Sequence, residues 1–284
     1  MNPTTPAAFL ETLRAGRTET KSAFPVPPAL AAAIAKARPA PHAIPALVAR
    51  GQSRVEEYTE AVETAAPRWH WMGDTPEGEA PSLAGVQPSV GEVVAEFDVS
   101  RRMMQDSAFD LEAFFVESAA LAFAEAEALA FLDGNGTARP SGLLSAITPA
   151  TATLGGLGEA LRALRSATPF QYRRHWVMPS VLFDRLSDED GFAPADNHGG
   201  PRLLGVPVEI DEACQSSGSA LVLLGDLGTA YRAVDILPGK APSPIMVQLN
   251  PYARKGGVGV QVSKRVGGCV RIADAVRAVE VALS

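Results

Sequence analysis

Between Ala108 and Leu132 the apolar residues fall at helical spacing, with Leu111, Phe114, Phe115, Leu121, Ala122, Leu129 and Leu132 in one wide stripe. Ser107 stands where an N-cap belongs, with Asp110 three residues on as in a capping box. Gly134 predicts a left-handed stop. About 25 residues at about 1.5 Å each predict a rod of roughly 37 Å. From about Gly155 the pattern alternates: a helix over 155–167, a strand over 175–179, a helix over 180–188, then strands over 205–210, 220–226 and 230–236. This predicts an α/β unit of about a hundred residues. The chain closes with strands and an amphipathic segment over 256–282.

Upstream, 51–66 and 90–99 read as two β-rich runs joined as a long hairpin. Its tip is rich in Gly, Pro and acidic residues, too polar to pack on its own subunit. Trp69 and Trp71 are alternate residues and share a strand face, either packed inside or turned toward another copy. Residues 1–50 read as an arm. Prolines punctuate the stretch from Phe24 to Pro45 around one short helical patch, 29–37, so it cannot build a sheet interior. Phe24, Val26, Leu30, Ile34, Ile44 and Leu47 argue that the arm docks on something.

Composition adds limits. The 284 residues are 46% hydrophobic and 20% charged, as in folded globular chains rather than disordered ones. The N-terminus has no signal-peptide pattern. The apolar run 119–132 is interrupted by Glu125 and Glu127, so no membrane span is expected. The net charge of −7 hides an asymmetry. Residues 1–50 carry six basic and two acidic groups, 51–98 two basic and ten acidic, and 240–284 seven basic and two acidic. These are either solvated surfaces of different sign or complementary faces that steer self-assembly.

Candidate chemistry is thin. Cys214 and Cys269 read as free thiols, and the four histidines have no ligand spacing with them, so no zinc site is expected. The turn Gly134-Asn135-Gly136-Thr137 lacks Gly-Lys-Ser/Thr and follows a helix, whose C-terminal carbonyls repel phosphate. It also lacks the acidic series of a calcium loop. Asp184, Asp188, Glu189 and Asp190 read as exposed turn acids. No Gly-x-Ser-x-Gly elbow occurs, His175 has no nucleophile nearby in sequence, and the Gly-x-Gly of 257–259 has no helix after it. No catalytic, cofactor-binding or metal-ligating residue is assigned, and the chain does not read as an enzyme.

Five stretches in order carry a resemblance: VSRRMMQDSAFDLEAFFVESAALAFAEAEALAFLDGNGTARPSGLL, RRHWVMPSVLFDRLSDEDG, LLGVPVEID, GDLGTAYRAVD and KRVGGCVRIADAV. From about Gly51 to the C-terminus the chain resembles the major capsid proteins of tailed bacteriophages, prophages and gene transfer agents. Their fold is the Hong Kong ninety-seven fold, shared with encapsulin nanocompartments. The resemblance implies an α+β fold: an N-terminal arm (1–50), an E-loop (51–99), a P-domain (100–147 with 250–284) and an α/β A-domain (148–249). It implies a structural protein forming pentamers and hexamers of a shell around double-stranded DNA bound non-specifically. It further implies a portal protein as partner, a location in the virion and, during assembly, in the host cytoplasm, and no cofactor. Arm and loop then offer Phe24, Leu30, Ile34, Trp69, Trp71, Asp74, Glu77 and Glu79 as subunit-interface candidates. Two features depart from the family pattern. The sequence starts almost at the arm, so scaffolding is expected to be separate, dispensable or lost; a decoration protein is a further possible partner. No lysine occurs between Lys36 and Lys240, so the loop has no amine for the lysine–asparagine weld some members use.

Overall fold

A computed structural model describes residues 34, 42–63, 71–73, 83–100, 111–168, 173–187, 200–239, 243–250 and 257–283. Its longest strand, β13 (Gly257–Val270), organises the first sheet. One edge of β13 pairs antiparallel with β4 (Ser89–Ser100). The other edge pairs with β12 (Ile245–Asn250) and then β11 (Tyr231–Ile236), outside which β1 (Ala49–Ser53) runs parallel. Strand alternation sends Val260, Val262, Lys264 and Val266 to one face, all buried.

Across that face lies the helix α2 (Leu111–Asp133). Phe131 meets Tyr231 with ring centroids 5.1 Å apart, and Phe115 packs edge-on against Phe97 at 5.5 Å. The predicted rod is present, but its buried face is rotated from the expected stripe. Phe115, Ala119, Phe123, Glu127 and Phe131, spaced by four, point inward with Ala120 and Ala128, whereas Phe114, Leu121 and Leu129 are exposed. The helix is apolar almost all round, so bulk alone does not mark its inner face. The small alanines let it approach the sheet closely.

The second sheet has the order β5 (Ala150–Thr153), β14 (Val276–Ala282), β10 (Ser219–Gly225), β6 (His175–Met178), β8 (Val206–Ile210) and β7 (Arg202–Leu203), with β9 (Gln215–Ser216) beside β10. The β5–β14 and β6–β8 pairs are parallel. One face, with Trp176, Met178, Val222, Leu224, Val279 and Val281, is covered by α3 (Leu157–Ala167) and α4 (Ser180–Ser187) through Leu161, Leu164, Leu182 and Leu186. The other face, with Val177, Leu221, Leu223 and Ala278, joins α2 and the first sheet in one core. Burial on both faces explains why β10 reads as a continuous apolar run.

Sheet membership cuts across the division drawn at residues 249 and 250. β11, which precedes that point, and β12, which straddles it, lie in the first sheet. The last strand, β14, lies in the second although it follows it. Among the described residues the two runs 51–66 and 90–99 do not pair with each other either. The hairpin is β2 (Glu60–Glu63) with β3 (Leu83–Val86), while β1 and β4 belong to the body. Pro88, which has no N–H to donate, separates β3 from β4. The reading of 1–50 as an arm also needs correction at its end. In the short helix α1 (Ile44–Leu47), Ile44 is fully buried, and with Val48 it sits in the core of its own chain.

After α2 the backbone doubles back over 134–142. Gly134 is not left-handed as expected; a Cβ there would lie 1.9 Å from the Pro140 carbonyl oxygen. The left-handed residue is Gly136, φ +70°. Asn135 Oδ1 accepts the amide hydrogens of Thr137, Ala138 and Arg139, so the turn is a self-contained structural one. The Tyr231 hydroxyl donates to the Ser141 carbonyl and ties the turn to the first sheet.

Candidate functional site

The β2–β3 hairpin stands apart from both sheets: among the described residues its strands pair only with each other. Among the described residues from Glu60 to Val86, three large apolar side chains are exposed. Trp71 is 76% exposed, Met72 fully exposed and Leu83 75% exposed. Trp71 is not in a strand; it precedes a turn at Met72 and Gly73, whose φ of +105° suits glycine. Of the other interface candidates, Ile34 is 2% exposed and already covered by its own chain, so it is no longer free to meet a neighbour. Phe24, Leu30, Trp69, Asp74, Glu77 and Glu79 lie outside the described residues. Trp71, Met72 and Leu83 are thus exposed, whereas Ile34 is buried.

Ile34, His42, Arg50, Phe123, Glu127 and Lys264 help line a groove of about 890 Å³. Its floor is an ion quartet drawn from four elements. Lys264 Nζ lies 2.5 Å from Glu127 Oε1 and 2.9 Å from Asp235 Oδ1. Arg50 lies 3.3 Å from Asp235 and also hydrogen-bonds Glu127. Burial by itself would push the Glu127 carboxyl up. Lys264 and Arg50 outweigh it and hold the group below its usual range. Burial would lower the Arg50 pKa, but Glu127 and Asp235 raise it. Both cations and both anions are partnered, so the quartet is a charge-balanced clamp of α2 onto β1, β11 and β13.

Asp211, fully buried, ties the end of the arm to the second sheet. It accepts from the Ile44 amide at 2.8 Å and the Ala213 amide at 2.9 Å, and His42 Nδ1 lies 3.0 Å away. Asp211→Asn, which removes one acceptor oxygen, is expected to cost about 1–2 kcal/mol in urea unfolding. An unchanged midpoint would mean that packing alone holds this segment.

These polar residues escaped the sequence reading, although two left a signal. Glu127 interrupts an apolar helix, and Lys264 occupies an inward position in the valine alternation of β13. Among the described residues no group of three or more His, Cys, Asp or Glu converges on a metal site, and no described helix is long and apolar enough to cross a membrane. Cys214 and Cys269 are buried and unpaired. Burial, then Glu60, pushes the Cys269 thiol up to about 11, away from nucleophilic thiolate chemistry.

The model of the phage capsid family matches residues 22–281. The chain belongs to that family. This capsid protein has the Hong Kong ninety-seven fold in its α+β form. It is similar to the capsid of an empty GTA particle at 24% identity and TM-score 0.67, covering 87% of this chain and 91% of that one. It is similar to a chain of Microbacterium phage Oxtober96 at 15% identity and TM-score 0.61, covering 87% and 93%. It also resembles the SrpI encapsulin of Synechococcus elongatus PCC 7942 at 17% identity and TM-score 0.53, covering 84% and 86%. Among curated proteins no sequence matches it. As a capsid protein its role is structural and its place is the particle shell.

Proposed function

We propose that this capsid protein assembles as pentamers and hexamers into a closed icosahedral-type shell around double-stranded DNA. Non-covalent contacts of the hairpin and the N-terminal residues hold it together. The observation that carries this reading is the exposed Trp71, Met72 and Leu83 on a hairpin that the body does not cover. Each such side chain gains about 1.5–3 kcal/mol when buried, and closure makes many modest contacts act together. Lysine welding from the hairpin has no amine to use, since no lysine lies between Lys36 and Lys240. A portal, separate scaffolding or decoration proteins, and assembly in the host cytoplasm complete this reading. The overall acidity fits non-specific rather than tight DNA contact.

Electron microscopy of the concentrated protein should show closed shells, capsomers or tubes. Trp71→Ser with Met72→Ser is expected to leave the subunit folded and to raise the concentration needed for assembly at least tenfold. Unchanged assembly in that variant would count against the hairpin as the contact, and a strictly monomeric wild type against the whole reading. The encapsulin reading has support from a solved relative but at a lower TM-score than the GTA and phage capsids. Particles purified with protein cargo and no nucleic acid would favour it.

A further inference from the structure

We propose that Glu60 is an electrostatic latch that sets the angle of the β2–β3 hairpin, and that its release lets the hairpin swing while the body stays folded. Glu60 opens β2 and is 8% exposed. Its carboxylate faces two guanidinium groups of the body: Arg232 Nε of β11 at 3.8 Å and Arg271 Nε, just past β13, at 3.5 Å. Both Nε atoms are buried and make no hydrogen bond. The Tyr58 hydroxyl donates to the same carboxylate. Space for this arrangement is built into the body. A Cβ on Gly51 would lie 2.7 Å from Arg232 Nη2, so a larger residue there would have to displace the guanidinium from its place beside Glu60.

Among the described residues few other side chains anchor the hairpin, although Glu56, just before it, pairs with Arg265 of β13. Of its side chains with described burial only Glu60 and Val62 are buried, while Ala61, Leu83, Ala84 and Gly85 are exposed. Irregular backbone flanks it, at 54–59 before β2 and at Gln87 and Pro88 after β3. The contrast with the quartet is physical. Lys264 and Glu127 meet at hydrogen-bonding distance, which fixes direction as well as separation. The Glu60 pairs are longer, so they act by charge alone and tolerate displacement. The latch stands on this geometry. That its angle presents Trp71 and Met72 to a neighbour rests on the assembly reading above.

The test uses unassembled full-length subunits, so its outcome does not depend on shell formation. Spin labels at Leu83→Cys and Val181→Cys, both exposed positions, report the hairpin-to-body distance by pulsed electron resonance, and the native thiols are buried and stay unlabelled. With Glu60 intact the distribution should be narrow. Glu60→Gln should at least double its width with the melting temperature unchanged, and Arg271→Gln, which keeps Arg232, should give an intermediate width. Equal widths in all three proteins would overturn the proposal. So would a Glu60→Gln variant whose whole body melts early, because Glu60 would then be part of the core's own stability.

Discussion

Glu127→Gln will lower the unfolding free energy of the subunit by about 3–5 kcal/mol, because removing one partner of a buried ion pair leaves the others uncompensated. Here Lys264 and Arg50, both packed beneath α2, would be left to share Asp235 alone, two cations against one carboxylate. Glutamine keeps the shape of the side chain, so the loss reports charge and not a cavity. A melting temperature within a degree or two of wild type would mean that the quartet is incidental to the fold. The pH dependence gives a second reading. The folded-state pKa of Glu127 lies below its unfolded value near 4.5. Its stabilising contribution is therefore complete above that value and is lost as the pH falls through the depressed folded value. Between about pH 5 and pH 3 the variant should lose stability less steeply than wild type. A steeper loss in the variant would contradict the assignment.

Gly134→Ala is expected to fail by a different route. Its Cβ would meet the Pro140 carbonyl oxygen at 1.9 Å and the Ala130 carbonyl oxygen at 2.4 Å. Both are backbone atoms. One belongs to the last turn of α2 and the other to the strap that returns beneath it through the Gly142 amide. Neither moves without opening the turn, so the cost should reach at least about 3 kcal/mol, the upper end of overpacking. Gly136→Ala is the control. Its nearest neighbour would be at 3.7 Å, so it bears only the left-handed strain at φ +70°, about 1–2 kcal/mol. Soluble yield and denaturant midpoints of the two variants separate steric exclusion from conformational preference. Equal effects would show that the close approach of the strap is not what requires glycine at 134.

Much of the fold was legible because its elements follow simple periods. The helix rod and the alternation of helices and strands over 155–236 depend on local spacing, and each stands in the structure close to its expected bounds. The rotation of α2 was not legible. A helix with leucine or phenylalanine on every side presents no unique inner face until a sheet selects the one where alanines permit close contact. Nor could spacing alone place β14 in the second sheet or β11 in the first, since strand pairing joins residues far apart in the chain. The candidate site was half visible. A projecting hairpin with Trp71 as a contact candidate was legible in the sequence, but the groove and its clamp were not.

By itself the sequence determined the elements, the turn that closes the long helix and the absence of lysine from the hairpin, because these depend on neighbours within a few residues. Only the tertiary structure decided which charges meet. Arg50, Glu127, Asp235 and Lys264 span more than two hundred residues, as do Glu60, Arg232 and Arg271. Their energies depend on distance and burial, which no local pattern encodes.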